Sequence, residues 1–233
     1  MKAVILQPTY LPWIGYFGMV DTADIFVFYD DVQFVNRSWQ RRNKIKTPNG
    51  YIWLSVPVVQ KFGQKINEVE IVTKLSWCDK HWKSIRHLYS KAPFFGEYME
   101  IFKDFYGKEW KYLVDLNLTI IKRISEILRL NTKFMLSSGL NVNGAKTDRL
   151  INILKEIGAN EYISGPGTKS YIENEKFEEN GITLYWYEFD HPTYPQLYGD
   201  FVPYLSVIDL LFNVGNKSLD VIRKGGEKAA KRA

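Results

Sequence analysis

An α/β chain with a mostly parallel, Rossmann-like sheet is the fold class this sequence predicts, and three observations predict it. Short apolar runs at 2–6, 161–164 and 182–189 read as buried strands. Segments with helical periodicity separate them. The opening thirty residues run strand, turn, helix, strand, as a Rossmann-like α/β unit begins. Composition agrees: the 233 residues are 45% hydrophobic and 24% charged, as in a folded globular domain. The single Cys78 excludes an intramolecular disulfide.

The elements follow in order. The run 2–6 is stopped by Gln7-Pro8 and is the first strand. Pro12 suits a helix start, where its missing N–H costs no hydrogen bond, and 13–20 is the expected first helix. The aromatic and branched run 24–30 is the second strand. Residues 36–46 are polar and basic. After the turn Pro48-Asn49-Gly50, residues 51–59 alternate as a strand, and 67–72 is another short one. From Trp77 to Leu130 the pattern is helical, with Gly96 and Gly107 as breaks; Leu113, Leu116, Ile120, Ile124, Ile127 and Leu128 share one stripe. Residues 132–136 form a strand. Thr147 or Asp148 caps a helix that runs to Ile157 and stops at Gly158. The strand 161–164 ends at Gly165-Pro166-Gly167, and 182–189 follows Gly181. Residues 191–204, holding Pro192, Pro195 and Pro203, form a long loop before a last helix at 205–212. The expected organisation is one α/β domain over 1–220, with a helical insertion at about 77–130 and a basic tail at 221–233.

The formal charge is +5 and the pI is about 9.0. Lys224, Lys228, Lys231 and Arg232 crowd the end and read as a frayed, solvated tail. Arg37, Arg41, Arg42, Lys44 and Lys46 form a second cluster suited to phosphates. The apolar run in MKAVILQPTY is too short for a signal peptide, and no segment approaches the roughly 20 apolar residues of a membrane span. A soluble cytoplasmic protein is expected. Aromatics reach 15%, and the 15 Tyr and 7 Trp favour a ligand groove, since each pairs an apolar body with a polar handle.

Three clusters carry the candidate chemistry. The first, 7–17, joins the first strand to the first helix, where open α/β sheets bind ligands. There Gln7, Tyr10, Trp13 and Tyr16 are expected substrate contacts, and Gly15 permits a close approach. The plainer alternative is a proline-fixed turn with buried aromatics. This position looks like the His-x-Gly-His turn of nucleotidylyltransferases and class I aminoacyl-tRNA synthetases, but Trp13-Ile14-Gly15-Tyr16 keeps only the glycine. The histidines that stabilise the reacting phosphate are absent.

The second cluster holds Asp30, Asp31, Gln33, Asn36, Trp39, Arg41, Arg42 and Lys44. Asp30 is a candidate general base, and the cations are candidate diphosphate clamps. Adjacent acids on a strand face opposite ways, so one of the two enters a site. An ion-paired surface loop is the alternative. The third cluster is Ser164, Tyr171, His191, Tyr194 and Gln196, with Ser206, Asp209 and Asn213 on neighbouring turns of the last helix. His191 is the best histidine for proton transfer, whereas Asp209 reads as a capping and packing residue. His81 and His87 lack metal-ligand spacing, so no zinc is expected, and Cys78 reads as a buried thiol. Glycine-rich phosphate loops and a nucleophile elbow are absent from the sequence.

QPTYLPWIGYF at 7–17, FVFYDDVQF at 26–34 with WQRRNKI at 39–45, and HPTYPQ at 191–196 with LSVIDLLFNVG at 205–215 together resemble the WbqC-like family over roughly residues 2–220. The resemblance implies a role in O-antigen or other surface-glycan biosynthesis. It suggests transfer of an acyl or aminoacyl group to a nucleotide-linked amino sugar, from an activated donor such as an acyl carrier or a charged tRNA. Tyr10, Trp13, Tyr16 and Trp39 would line the sugar or base groove, Arg41, Arg42 and Lys44 would hold the diphosphate, and Asp30 or His191 would take the proton. The competing readings are an ATP-dependent nucleotidyl transferase and a non-catalytic sugar-nucleotide-binding protein.

Overall fold

The computed structural model describes residues 1–74, 76–226 and 230–233. Its strands are β1 (Lys2–Leu6), β2 (Ile25–Phe28), β3 (Arg42–Thr47), β4 (Gly50–Ser55), β5 (Val58–Val59), β6 (Glu70–Ile71), β7 (Lys133–Leu136), β8 (Glu161–Ser164), β9 (Thr183–Tyr187) and β10 (Ala230–Arg232). Its helices are α1 (Ile14–Thr22), α2 (Trp77–Tyr89), α3 (Phe95–Gly107), α4 (Leu113–Ile127), α5 (Lys146–Glu156), α6 (Asn174–Glu179), α7 (Val207–Val214) and α8 (Ser218–Gly226).

The central sheet has the order β10-β9-β8-β1-β2-β7. Five strands are parallel and β10 alone is antiparallel. From β1 the chain moves to β2 and β7 on one side, then crosses to β8 and β9 on the other. The direction reverses between β1 and β8, so the carboxyl ends of these two strands mark the crevice where such sheets take ligands. This is the Rossmann-like arrangement that the opening motif predicts.

Burial on both faces explains the strand sequences. All four residues of β2, IFVF, are buried, as parallel strands covered on both faces require. Side chains alternate. Val4, Phe26 and Phe28 pack with α1, α4 and α7, whereas Ala3, Ile5, Ile25 and Val27 meet α5, Tyr162 and Phe177.

Three local differences have physical causes. The helical stretch after Trp77 is three helices, and its first break falls before Gly96: Pro93 lies between α2 and α3, and Gly96 sits inside α3. The expected strand 51–59 splits at Pro57 into β4 and β5, and β5 pairs with β6. At the basic end, where a frayed tail is expected, 221–226 belong to α8 and β10 pairs with β9 through Ala230↔Tyr187 and Arg232↔Tyr185. A strand on the open side of β9 satisfies edge N–H and C=O groups. Lys and Ala are weak strand formers, so nothing local announces it.

Gly18 on α1 shows how closely the layers approach. A Cβ built there would lie 2.1 Å from Tyr187 Oη and 3.3 Å from the Phe189 ring. That hydroxyl is buried and has no hydrogen-bond partner among the described residues. Gly18→Ala is expected to cost about 1–3 kcal/mol by overpacking. Tyr187→Phe in the same chain should return much of it, because it removes the atom that the methyl meets. Urea denaturation of the two single variants and the double variant measures that coupling.

Candidate functional site

The segment leaving β1 is held in place by groups from distant parts of the chain. Tyr10 N–H donates to the Trp39 carbonyl (2.9 Å), and Val207 N–H to the Pro12 carbonyl (2.8 Å). Asn43 Nδ2 donates to the Leu11 carbonyl (2.5 Å), and Asn117 Nδ2 to the Gln40 carbonyl (2.7 Å). Ser206 N–H donates to the Lys44 carbonyl (2.9 Å). Leu11 has φ of 45°, a conformation that side-chain-bearing residues hold only when their surroundings fix it. The motifs at 7–17, 39–45 and 205–215 are therefore one hydrogen-bonded unit.

Inside that unit, at the carboxyl end of β1, lies a cavity of about 250 Å³ lined by Leu6, Gln7, Thr9, Trp13, Tyr16, Ser38, Trp39, Gln40 and Asn43. Its amides are oriented. Gln40 Oε1 accepts from Val35 N–H (2.9 Å), which turns Gln40 Nε2 to donate to Gln7 Oε1 (2.8 Å). Gln7 Nε2 is left without a protein partner among the described residues and is a donor for a ligand. Trp39 is 45% exposed at the mouth. Tyr16 donates its hydroxyl to the Gln7 carbonyl (3.2 Å).

Gly15 makes room for a ring of the same turn. A Cβ at Gly15 would lie 2.2 Å from the Trp13 indole, which covers the first turn of α1. Trp13 packs in turn against Phe189 (5.2 Å), Tyr204 (5.5 Å) and His191, whose ring stacks on it at 6.2 Å and 16°. A phosphate at this helix start would have to displace the indole.

Of the residues singled out from sequence, Gln7, Trp13, Tyr16 and Trp39 come together at the cavity, and the others lie elsewhere. Tyr10 is fully buried, its hydroxyl 2.5 Å from Tyr106 Oη and 2.9 Å from His81 Nδ1. Burial first, then Tyr106, raises the Tyr10 pKa well above its ordinary value. Burial pushes His81 down to about 4. Asp30 is buried at the end of β2 with both oxygens occupied: Oδ1 accepts from Ser138 N–H (3.0 Å) and Ser137 Oγ (3.1 Å), and Oδ2 from Ser138 Oγ (2.6 Å). Asp31 does not face the opposite way: its Oδ1 shares the Ser137 hydroxyl (2.5 Å) with Asp30, and its Oδ2 pairs with Arg149.

Gln33 and Asn36 are exposed, and Asn36 Nδ2 donates to Gln60 (2.6 Å). Arg41 donates to the Val56 carbonyl (2.7 Å), Arg42 lies over the Trp53 ring (4.3 Å) and Lys44 over the Tyr51 ring (4.1 Å). Ser164 Oγ is 2.7 Å from Thr168 Oγ1 and 3.1 Å from Tyr162 Oη, while Tyr171 is 47% exposed on the loop beyond.

His191 is half-buried. Tyr204 N–H donates to its Nε2 (3.1 Å), so Nδ1 carries the proton and donates to the Pro192 carbonyl (3.0 Å). Burial lowers its pKa. Tyr194 and Gln196 belong to a buried network behind the cavity. Asp209 accepts from Tyr89 Oη (2.8 Å) and Tyr194 Oη (3.0 Å). Lys46 Nζ donates to Gln196 Oε1 (3.0 Å) and to the Asp200 carbonyl. Burial raises Asp209 to about 6, against the opposing tyrosine hydrogen bonds.

Sequence reasoning passed over Thr9, Ser38, Gln40 and Asn43. The amides sit among the arginines of 37–44, and that interleaving was the available signal. Among the described residues, no three His, Cys, Asp or Glu side chains converge as a metal site, and no helix is long and apolar enough to cross a membrane.

A model of the WbqC-like protein family matches residues 7–221. An uncharacterized protein of Mycobacterium tuberculosis is 37% identical over 226 residues, covering 95% of this chain and 97% of the relative. No solved structure matches the chain.

Proposed function

From the premise that the chain belongs to the WbqC-like protein family, we propose a polysaccharide-associated enzyme that transfers an acyl or aminoacyl group to the amine of a nucleotide-linked sugar. The observation that carries this reading is the cavity at the carboxyl end of β1, walled by Trp13, Tyr16 and Trp39 and bearing the Gln7 and Gln40 amides. Its volume, about 250 Å³, falls below the roughly 300–1,000 Å³ of drug-sized ligand sites. A single sugar ring suits it, with the rest of the substrate outside. Indole faces suit the apolar face of a sugar, and the Gln7 donor suits a hydroxyl or acyl oxygen. Arg41 and Arg42, which follow Gln40 directly in the chain, are the cations we assign to a diphosphate.

The chemistry asks mainly for positioning. An unprotonated amine attacks the carbonyl of an activated ester, a C–N bond forms and the C–O or C–S bond breaks. The amine proton leaves to solvent and the leaving group departs as its anion or thiolate. Holding the two reactants together supplies the larger part of the acceleration in such reactions. His191 stacks on Trp13 at this wall, and it relays the amine proton to solvent once Tyr204 N–H releases Nε2.

A second reading, a sugar-nucleotide-binding protein without turnover, is favoured by one observation. The cavity lining holds no carboxylate or imidazole, and Asp30 and His191 are engaged within the fold. Nucleotidyl transfer is disfavoured by the Trp13 ring over the first turn of α1.

Calorimetric titration with nucleotide-linked amino sugars, followed by mass-spectrometric assay with acyl and aminoacyl donors, tests the proposal. Trp39→Ala is expected to weaken sugar-nucleotide binding by about 10- to 100-fold, the equivalent of one buried aromatic side chain. Binding lost in Trp39→Ala but no product with any donor class selects the second reading. Binding unaffected by Trp39→Ala sinks both.

A further inference from the structure

Between Asp31 and Glu68 the chain carries no acidic residue, while Arg37, Arg41, Arg42, Lys44, Lys61 and Lys65 lie there with the buried Lys46. The formal charge of the entire chain is +5, so this segment accounts for the whole cationic surplus. The same stretch holds most of the exposed large apolar side chains among the described residues: Val35 (54%), Trp39, Tyr51, Trp53, Val59 and Phe62, the last fully exposed at 103%. An isolated exposed apolar residue is ordinary, but a concentration of them marks an interaction site.

These residues form one surface. Trp39 and Trp53 rings lie 5.4 Å apart, and Tyr51 meets Trp53 at 6.3 Å. Asn36 donates to Gln60 (2.6 Å) and Phe34 N–H to the Gln64 carbonyl (2.9 Å), so the loop carrying Val35 is tied to the loop carrying Val59 and Phe62. On the β3–β4 hairpin, Lys44 stands opposite Trp53, with Arg42 over the Trp53 ring and Lys44 over the Tyr51 ring, so that cation and aromatic meet on the exposed side.

We infer that this surface docks the protein peripherally on an anionic phospholipid bilayer. The three kinds of side chain match the three layers of such a surface. Cations meet the lipid phosphates, Trp and Tyr take the headgroup level, and Phe62 with Val35 and Val59 enters the acyl boundary. A single-stranded polynucleotide is the competing polyanion, and it would stack bases on free ring faces. Here Arg42 already lies on Trp53 and Lys44 on Tyr51, while Val35, Val59 and Phe62 offer nothing to a phosphate backbone. The inference goes beyond the proposed reaction and does not depend on it, because it concerns where the cavity mouth at Trp39 faces.

Co-sedimentation of the full chain with vesicles of phosphatidylcholine, with and without phosphatidylglycerol, tests it, with oligothymidylate as the competing probe. The expected result is binding to the anionic vesicles alone, lost as salt is added. Phe62→Ser should weaken it about tenfold, and Lys61→Gln with Lys65→Gln about thirtyfold together. All three side chains sit in a surface loop, and urea midpoints equal to wild type show that the variants fold. Equal binding to neutral vesicles, no vesicle binding, or variants that bind like wild type overturns the proposal. Tight binding of oligothymidylate without vesicle binding replaces the bilayer with a polynucleotide.

Discussion

Asp209→Ala is expected to lose about 3–5 kcal/mol of folding stability, the range for removing one partner of a buried charged network. Asp209 is fully buried on α7, and its two oxygens accept from Tyr89 and Tyr194. Tyr89 Oη also accepts the backbone N–H of Lys46 (2.9 Å), whose buried ammonium rests on Gln196 and the Asp200 carbonyl. Truncation strands two tyrosine hydroxyls in the core and removes the carboxylate that faces the Lys46 charge. The loop at 191–204 is anchored to this network through Tyr194 and Gln196. Urea denaturation should show the loss directly, with Asp209→Asn, which keeps an acceptor, losing less. A change below about 1 kcal/mol would mean that the network is not what fixes the loop.

His81→Gln and Asp209→Asn are expected to reveal pH dependences of opposite sign that offset each other in the wild type. The folded pKa of His81 is about 4, below its ordinary 6.5. The unfolded state therefore binds the proton more tightly, and stability that is full above pH 6.5 is lost as pH falls towards 4. The folded pKa of Asp209 is about 6, above its ordinary 3.8. There the folded state holds the proton more tightly, and stability present below pH 3.8 is lost as pH rises through 6. Each window corresponds to about 3 kcal/mol. From pH 4 to 6 the slopes largely offset, with His191 adding to the His81 direction. Removing His81 leaves a protein that becomes less stable as pH rises through this window, and removing the Asp209 carboxylate leaves one that becomes more stable. Guanidinium titrations at intervals of pH distinguish this from a common slope in all three proteins, which would overturn the assignment.

The elements read from sequence were those whose causes are local. β1 has its proline stop, β2 its unbroken apolar run, and α5 its terminal Gly158, which adopts φ of 72° as a left-handed helix end does. β3 was hidden because Arg42, Lys44 and Lys46 read as a solvated run; its buried side chains are Asn43, Ile45 and Lys46, two of them polar. Thr147 looked like a helix cap, but α5 begins at Lys146 and the Thr147 hydroxyl instead accepts from Glu173 N–H (3.2 Å). At the site, Trp13, Tyr16, Trp39 and Gln7 were legible because proline and aromatic spacing fixes the turn. Where Tyr10 points was not. Its direction is set by His81 and Tyr106, contributed by α2 and α3, and no spacing near residue 10 encodes those partners.

The strand order also bears on how the chain reaches its native state. β1 is made long before β8, one of its two neighbours, which pairs with it through Ala3↔Tyr162 and Val4↔Ile163, and Met1 is hydrogen-bonded to Asn160 (2.5 Å). The nascent amino-terminal unit β1-α1-β2 therefore keeps an open, apolar strand edge until residues beyond 160 have emerged. At about 5–20 residues per second, ribosomal elongation leaves that edge exposed for about ten seconds or more. Pairings of such long sequence separation close slowly, after much loop entropy has been lost. The crevice between β1 and β8 is thus among the last features to form during biosynthesis.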